Sequence, residues 1–313
     1  MLSSTSLKAL INPITKSNFL KIDNNNIVFN DNSALPIFNE IPILLSTNSI
    51  FNFDDIRLNV VTTQDGDFTD KKKFKNNFRK KILPSLCNDF KINERYKELS
   101  NKINKTNGNV LIIGSGDKVN YYKELFKNCN VIASDVHLQL QPDCVIDAHE
   151  IPFKNDFFDL VFAAQVIEHT INPWLVSTEF QRVTKNGGYI QIEAPQSYPY
   201  HGQPYDFFRF TFTGMRSLFS KCKLEKCNIT ESNAAMVAVT ISNYFVNLSS
   251  NKYYRRGAVF ITRFMFGWLK YLDNYNLNKR TISFPKGYAM TFIKDSRERK
   301  GVELFEEFYN LKD

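Results

Sequence analysis

The sequence predicts an α/β fold in which a parallel sheet is covered by helices on both faces, behind a small β-rich N-terminal segment. From residue 109 onward, short apolar runs alternate with amphipathic stretches of helix length. This alternation is typical of a sheet buried on both faces. Before residue 60, Pro36 and Pro42 interrupt the apolar runs, which favours short strands and turns over helices.

The predicted strands and helices follow one another in order. Strands are predicted over 109–113, 130–135, 144–148, 158–164 and 187–195. Helices are predicted over 88–105, 118–128 and 173–184. Ligands of such sheets bind at the carboxyl ends of the strands. The residues just after each strand are therefore the candidate site residues.

Composition divides the chain into three parts. We predict a small domain over 1–60, a basic connector over 61–105 and an α/β domain over 106–313 with a helical insertion at about 233–280. The connector holds the run KKKFKNNFRKK at 71–81, with seven Lys or Arg and no acid. The favoured interpretation is a solvated helix face docked through its two Phe residues, and an RNA-binding platform is the alternative.

The composition of the 313 residues limits the classes of protein. An apolar content of 43% with 23% charged residues excludes disordered, collagen-like and coiled-coil chains. The net charge of +8 permits anionic partners without selecting one. Five scattered cysteines predict a reducing compartment. With no secretory signal and no apolar run of roughly 18 residues, a cytoplasmic protein is predicted.

The turns after the first two strands carry a nucleoside-binding pattern. Gly114, Ser115 and Gly116 follow the first strand, and Asp135 ends the second, nineteen residues beyond Gly116. Glycines permit a close backbone approach, and an acid at this place accepts hydrogen bonds from ribose hydroxyls. A dinucleotide site would have a third glycine where Val119 stands. A nucleoside without a pyrophosphate is therefore favoured over NAD.

Five segments together resemble a known family. VLIIGSG, IASD, DAHEIPF, FDLVFAAQVIEH and VTKNGGYIQIEAP are similar, in order and spacing, to the class I S-adenosylmethionine-dependent methyltransferases, in particular the type-11 methyltransferase family. The resemblance covers about residues 109–195. It implies a Rossmann-like seven-stranded sheet with helices on both faces, and S-adenosylmethionine as the cofactor.

The resemblance also implies a role for each cofactor-binding residue. Gly114, Ser115 and Gly116 would line the methionine portion, Asp135 would hold the ribose, Asp147 and Ala148 would meet the adenine, and Gln165 would lie near the methyl group. Ile112 replaces a frequent acid of the family, and Lys118 replaces a frequent glycine. These two departures predict weaker cofactor binding or a loop of different shape.

Two further segments resemble parts of related enzymes. The loop YPYHGQPYDFFRFT at 198–211 is similar to a methyltransferase subgroup associated with glycan modification, and GYAMTFIKD at 287–295 resembles that subgroup's last strand. ALPIFNEIPILL resembles the end of a small zinc-ribbon-like domain found in many methyltransferases. Zinc-binding members have four cysteines before this stretch, whereas no cysteine precedes Cys87 here. A zinc-ribbon-like domain without metal ligands is predicted.

The 198–211 loop supplies the catalytic candidates His201, Asp206 and Arg209. Histidine titrates near neutral pH, so His201 is the candidate general base; a histidine that only hydrogen-bonds substrate or backbone is the alternative. Asp206 and Arg209 would orient His201 and clamp an anion, or else pair with each other. A metal at His201 and Asp206 lacks a third ligand, so no metal is predicted.

The segment GAVFITRFMFGWLKYL at 257–272 is apolar on nearly every face. A buried helix or a substrate lid is the first interpretation, and peripheral contact with a membrane is the alternative.

The function predicted from the sequence is S-adenosylmethionine-dependent O-methylation of a carbohydrate or related small molecule. The alternatives are an RNA methyltransferase, a quinone or lipid methyltransferase, and a non-catalytic binding protein with the methyltransferase fold. The sequence identifies neither the acceptor nor the oligomeric state.

Overall fold

The computed structural model of the chain describes residues 2–52, 54, 56, 84–295 and 297–313. The basic run at 71–81 and most of the predicted connector lie outside the described residues, so the helix-face and RNA interpretations of that run stay predictions.

The N-terminal strands form a four-stranded antiparallel sheet in the order β1-β2-β3-β4. These strands are β1 (Phe19–Asp23), β2 (Asn26–Phe29), β3 (Ala34–Phe38) and β4 (Ile41–Pro42). The predicted β-rich N-terminal segment is therefore confirmed. The two prolines lie within the short strands β3 and β4, where the sequence predicted extended structure.

A seven-stranded sheet forms the larger part of the molecule. Its strands are β5 (Asn109–Ile113), β6 (Asn130–Asp135), β7 (Cys144–Val145), β8 (Phe158–Ala164), β9 (Thr184–Pro195), β10 (Cys222–Ile229) and β11 (Gly287–Lys294). The order is β10-β11-β9-β8-β5-β6-β7. Strands β7, β6, β5, β8 and β9 are parallel, as predicted. The last two strands pair antiparallel, so the sheet is mixed.

The five parallel strands have the order of a doubly wound nucleotide-binding sheet. The chain runs outward from β5 through β6 to β7, and then returns to the other side of β5 for β8 and β9. The direction of winding therefore reverses between β5 and β8. A crevice is expected at the carboxyl ends of these two strands.

Helices surround the sheet, and several of those in the described residues are capped by local side chains. They are α1 (Ser4–Lys8), α2 (Ile92–Ile103), α3 (Val119–Leu125), α4 (Pro173–Val183), α5 (Phe212–Ser217), α6 (Asn233–Asn247), α7 (Lys252–Phe266) and α8 (Glu306–Tyr309). Helix α4 begins at Pro173 because Asn172 caps the Leu175 amide and proline suits the first helical position. Thr211 caps α5 in the same way.

Alternate residues of each central strand enter cores on opposite faces of the sheet. Val110 and Ile112 of β5 pack in one core with residues of α2 and α3. Leu111 and Ile113 pack in the other, with residues of α4, α5 and the N-terminal segment. The period of two in the strand explains this division. The helices therefore cover both faces, as predicted.

The third predicted strand is shorter than expected because Asp147 begins a turn. Its carboxylate accepts the His149 amide at 3.0 Å, and its carbonyl accepts the Glu150 amide at 3.1 Å. These bonds replace strand pairing after Val145. The prediction of a strand over 144–148 was therefore wrong at its last three residues.

The N-terminal segment is joined to the seven-stranded sheet. Ile43 forms a parallel bridge with Val145, and the Leu44 amide donates to the Val145 carbonyl at 2.9 Å. The edge strand β7 is thereby covered, and covering is a common protection of sheet edges. Leu10 and Phe29 also belong to the same apolar core as β8 and β9.

Helices α6 and α7 form an antiparallel pair beside the sheet. Ser242 and Thr262 join them through a buried hydroxyl contact of 2.7 Å. The sequence favoured a buried helix or a substrate lid over 257–272. Most large apolar residues of α7 are exposed, so a buried helix was wrong, and the substrate lid stays a prediction. Among the described helices, none has the length and apolar content needed to cross a membrane.

Candidate active site

A cavity of about 570 Å³ lies at the carboxyl ends of the parallel strands. Its size falls within the range of about 300–1,000 Å³ that is typical of small-molecule sites. All seven residues predicted to bind the cofactor line it: Gly114, Ser115, Gly116, Asp135, Asp147, Ala148 and Gln165. The structure therefore brings together residues from the ends of four strands.

The glycine loop after β5 passes close to the loop after β8. Gly114 has a φ of +69°, and a Cβ atom there would lie 2.5 Å from Cγ2 of Val166. Any other residue would therefore be strained and would collide with Val166. The hydroxyl of Ser115 is buried and hydrogen-bonds no described group. This hydroxyl is available to a polar ligand.

Asp135 joins the ends of β5 and β6. Its Oδ2 accepts the Gly116 amide at 2.8 Å, and its Oδ1 accepts the His137 amide at 3.0 Å. Burial raises the pKa of this carboxyl, although His137 and the two amides oppose the shift. Each carboxylate oxygen keeps a lone pair after these bonds. The ribose hydroxyls of a nucleoside fit such an acceptor.

Asp147 forms a second acidic position in the cavity wall. It accepts a hydrogen bond from Ser49 at 2.5 Å and lies 2.6 Å from Nδ1 of His149. Burial opposes ionisation, but the bonds with His149 and Ser49 outweigh it and lower the pKa of Asp147. Phe51 and Ala148 add apolar surface to the cavity. Apolar surface with a nearby acceptor suits a purine base.

His201 lines the same cavity from the 198–211 loop. The loop is fixed to the turn after β8, where the amides of Phe207 and Phe208 donate to the Glu168 carbonyl. His169 also contacts the Tyr205 carbonyl through Nδ1 at 2.5 Å. The His169 and His201 rings meet edge to face, with centroids 4.9 Å apart.

Asp206 and Arg209 lie behind His201 and not in the cavity wall. Two guanidinium nitrogens of Arg209 pair with the two Asp206 oxygens at 2.6 and 2.7 Å. The remaining donors of Arg209 bind the carbonyls of Tyr198, Pro199 and Phe208. Of the two interpretations of Asp206 and Arg209, this geometry agrees with mutual pairing that fixes the loop. Every donor of Arg209 is already engaged, so both are positioning residues.

The Asp206 carboxylate holds His201 as well as Arg209. It accepts the His201 amide at 2.7 Å, and Oδ2 lies 3.4 Å from Nδ1 of His201. Burial opposes ionisation of Asp206, but hydrogen bonds from Arg209 and the His201 amide outweigh it and lower the pKa. A negative charge therefore stands directly behind the imidazole.

Glu168 was not singled out as a site residue, yet it has the most unusual carboxyl near the cavity. It is fully buried, and no described group hydrogen-bonds either carboxyl oxygen. Burial raises its pKa to about 8, against an ordinary value of 4.5. The carboxyl is therefore mostly protonated at neutral pH.

Glu168, His169 and His201 place one ligand atom each within 4.8 Å of one another. The sequence analysis found no third ligand for a metal at His201, and the structure supplies a different set of three possible ligands. A protonated carboxyl is a poor ligand for a cation. The absence of a metal remains a prediction, which removal of divalent cations tests below.

Other cavity residues were missed because they come from distant parts of the sequence. Phe51 belongs to the N-terminal segment, Tyr96 to α2, and Lys286 to the start of the last strand. Glu193 is different, because it lies near the end of β9. The expectation that ligands bind at the carboxyl ends of parallel strands would have identified it as a cavity residue. Its carboxyl contacts Arg95 at 3.4 Å and accepts from Tyr96 at 3.2 Å.

The two departures from the family pattern have different structural consequences. Ile112 is fully buried in the core against α2 and α3 and does not line the cavity. Lys118 is exposed and lines the cavity mouth. Compared with the family pattern, Lys118 therefore adds a positive charge at the cavity entrance, and Ile112 adds an apolar side chain to the core behind the cavity.

Comparison with known proteins agrees with this geometry over part of the chain. Residues 113–192 match the family model for a methyltransferase domain of type 11. The chain contains an S-adenosylmethionine-dependent methyltransferase domain. The matched segment runs from the end of β5 into β9 and includes all seven predicted cofactor residues. No curated protein matches the chain significantly.

Solved structures give only distant similarities. A proposed sarcosine dimethylglycine methyltransferase from Galdieria sulphuraria has 12% identity and a TM-score of 0.39, over 64% of this chain and 85% of its own. A proposed methyltransferase from Bacillus halodurans has 15% identity and a TM-score of 0.38, over 62% of this chain and 98% of its own. Phosphoethanolamine N-methyltransferase 2 from Haemonchus contortus has 14% identity and a TM-score of 0.35, over 63% of this chain and 53% of its own. At these TM-scores the similarities carry no argument.

The cofactor of the methyltransferase domain is S-adenosylmethionine, and the cavity residues fit it. The Asp135 carboxylate suits the ribose, and the apolar surface beside Asp147 suits the adenine. The buried Ser115 hydroxyl and the glycine loop, where a Cβ would intrude, suit the methionine portion.

Gly114→Ala should weaken S-adenosylmethionine binding by about tenfold or more, because a left-handed non-glycine residue costs about 1–2 kcal/mol and the methyl group also displaces Val166. Isothermal titration calorimetry measures the effect. Gly187→Ala is the matched control, since Gly187 has a φ of +78° with no atom within 4 Å of its Cβ position. Equal affinities for the two variants would contradict the assignment of this loop.

Glu168→Gln should make the protein's stability less dependent on pH. The raised pKa means that Glu168 favours the folded state below pH 4.5 and loses this contribution as pH rises to about 8. The wild type should therefore lose up to about 1.4 kcal/mol per pH unit relative to the variant across that window. Urea unfolding at several pH values measures the difference. The variant Glu40→Gln, at an exposed position, should show the same change of unfolding free energy with pH as the wild type. A difference in unfolding free energy between Glu168→Gln and wild type that stays constant with pH would refute the buried protonated state.

Proposed function

We propose that the protein transfers the methyl group of S-adenosylmethionine to a hydroxyl oxygen of a carbohydrate, with His201 as the general base. The observation that supports this proposal is the environment of the His201 imidazole. One ring nitrogen faces fixed protein groups, and the ring lies in the wall of the cavity that the methyltransferase domain uses.

The hydrogen bonds of His201 favour one tautomer. Nδ1 lies 3.1 Å from the Pro199 carbonyl and 3.4 Å from Asp206, both of which are acceptors. Arg209 Nη2 is 3.2 Å away but already donates to Pro199 and Asp206. A proton on Nδ1 therefore satisfies the site. Nε2, which hydrogen-bonds no described group, is left as the proton acceptor.

S-adenosylmethionine supplies a methyl group on a sulfonium, and the protein must prepare the acceptor oxygen. His201 Nε2 would accept the hydroxyl proton as the oxygen gains its bond to carbon. The resulting imidazolium is stabilised by the Asp206 carboxylate behind Nδ1. Asp206 is fixed by Arg209, so His201 keeps its direction during the reaction.

The groups near His201 favour a carbohydrate as the acceptor. Tyr198 and Lys286 line this part of the cavity, with the Lys286 ammonium 4.9 Å from the Tyr198 ring centroid. An aromatic face packs against the C–H groups of a sugar, and hydroxyls of Thr170 and Tyr198 can bind its oxygens. The similarity of the 198–211 loop to the glycan-modifying subgroup supports the same substrate class.

We extend the proposal to the N-terminal sheet, as a zinc-ribbon-like module without metal ligands. Support comes from four short antiparallel strands and from the absence of cysteine before Cys87. The apolar core shared with the catalytic domain takes the place of the metal. In this proposal the module completes the cavity through Phe51.

His201→Ala should lower kcat by about 10²–10⁴-fold while the affinity for S-adenosylmethionine stays unchanged. Asp206→Asn should give a smaller loss, because it disturbs only the position and charge balance of the imidazole. Transfer of labelled methyl to nucleotide sugars, glycan extracts, lipid extracts and RNA identifies the acceptor. Full turnover by His201→Ala would rule out this base, and label only in RNA or lipid would refute the carbohydrate.

Removal of divalent cations with EDTA should leave methyl transfer unchanged, since the Glu168 carboxyl is mostly protonated. Turnover before and after chelation, and after adding Mn²⁺ or Zn²⁺, measures this. Loss of activity that returns with added metal would show that Glu168, His169 and His201 bind an ion.

A further inference from the structure

The helical pair α6–α7 has an apolar stripe that points away from the protein. Tyr253, Phe260, Phe264 and Trp268 follow one another at helical spacing along α7 and the turn after it, and all are exposed. Tyr253 and Phe264 are 80% and 77% exposed. Soluble domains rarely expose contiguous apolar surface of this kind, and such surfaces commonly mark interaction sites.

The face of α7 that packs against α6 is a different face from the stripe. Thr262 is the buried residue of the helix, and Ala258, Val259 and Phe266 beside it are half-buried. These residues lie on the side that meets α6 through the Ser242–Thr262 contact. Helix α7 therefore has its most apolar face in solvent. Helix α6 adds the exposed residues Val237, Tyr244, Phe245 and Leu248.

The charged residues within the helical pair and the turn after it all have one sign. Residues 233–272 contain five basic residues and no acid, although the chain has 32 Asp and Glu in 313 residues. The basic residues are Lys252, Arg255, Arg256, Arg263 and Lys270. Lys270 is buried and donates to the Ser85 carbonyl at 2.8 Å. The other four belong to α7: Lys252, Arg256 and Arg263 flank one side of the stripe by helical position, whereas Arg255 precedes Thr262 by seven residues and lies on the opposite face.

We infer that the α6–α7 pair docks on the surface of an anionic phospholipid bilayer. Phe, Ile, Met and Leu side chains enter the headgroup boundary, while Trp268 and the tyrosines lie at the level of the headgroups. Lys252 and Arg256, beside the stripe, meet lipid phosphates at the start of α7. This docking does not depend on which acceptor is methylated.

Charge complementarity favours an anionic bilayer over a second copy of the chain as the partner of the α6–α7 pair. Two copies packed stripe to stripe would bring like charges together, with no acid in either pair of helices to balance them. A nucleic acid duplex would satisfy the cations but leave the apolar stripe uncovered, because its outer surface is phosphate and sugar. Single-stranded bases would stack on the aromatic rings but leave the exposed aliphatic residues Ile261, Met265 and Leu272 in water. An anionic bilayer matches both the cations and the stripe.

The helical pair is also attached to the wall of the cavity. Asp273 caps α6 by accepting the amides of Ser232 and Ala235 at 3.0 and 2.9 Å. The Tyr271 ring stacks on Phe90 with centroids 5.5 Å apart, and Phe90 lies two residues before Ile92, which lines the cavity. The docking surface is therefore fixed to the catalytic domain through folded contacts.

Co-sedimentation of the full chain with phosphatidylcholine vesicles, with and without phosphatidylglycerol, tests the inference. The wild type should bind the anionic vesicles. Phe264→Glu should lower this binding by about tenfold or more, because a carboxylate would enter the apolar boundary. Arg256→Gln should lower it by roughly fivefold, whereas Arg255→Gln, on the face opposite the stripe, should change it less.

Tyr253→Glu and Tyr309→Glu form a matched pair, since both replace an exposed tyrosine and only Tyr253 lies on the stripe; Tyr309 is 64% exposed at the C-terminal helix. Only Tyr253→Glu should weaken vesicle binding, with circular dichroism showing that both variants are folded. Equal binding by Phe264→Glu and wild type would overturn the inference, as would no binding by the wild type. A dimer in solution that Phe264→Glu abolishes, without vesicle binding, would identify a second copy instead.

Discussion

The hydrogen bond from the Gly116 amide to the Asp135 carboxylate is the interaction on which the cavity depends. It joins the loop after β5 to the end of β6 at 2.8 Å. The same glycine loop approaches Val166 after β8 so closely that no side chain fits at Gly114. Three strand ends therefore share one short loop. The reversal of winding between β5 and β8 places that loop at the crevice where a doubly wound sheet binds its ligand.

A second group of contacts positions the acceptor side of the cavity. Arg209 uses its donors on Asp206 and three carbonyls of the same loop, and Asp206 in turn holds His201. The loop is fixed to the turn that carries the buried Glu168. The chemistry proposed for His201 therefore depends on a rigid loop. The cofactor contacts and the proton acceptance that we propose would come from separate structural units that meet in one cavity.

The sequence predicted most of the parallel strands and all seven cofactor positions in the cavity. The strands were predictable because buried strands are continuous apolar runs, and the carboxyl ends of parallel strands meet at one edge of a sheet. The choice of Asp147, Ala148 and Gln165 came from the resemblance to the methyltransferase family. The same local reasoning did not predict that Arg209 is saturated by its own loop. Which of several acceptors a guanidinium binds is decided by folded distances, not by spacing along the chain.

Long-range packing explains the other differences. Phe51 reaches the cavity only because Ile43 and Leu44 extend along β7, and no local pattern contains that pairing. The burial of Glu168 follows from the loop that covers it. For α7, a segment that is apolar on nearly every face predicts a helix but does not say which apolar face turns inward. The structure shows that it faces solvent.

We propose that one cavity holds the cofactor, with its ribose at Asp135 and its sulfur near His201. A crystal structure of the protein with S-adenosylhomocysteine measures this directly. We expect hydrogen bonds from the ribose hydroxyls to the Asp135 carboxylate, and a sulfur atom on the side of the cavity where His169 and His201 lie. A nucleoside bound in the opposite direction, or outside this cavity, would contradict it.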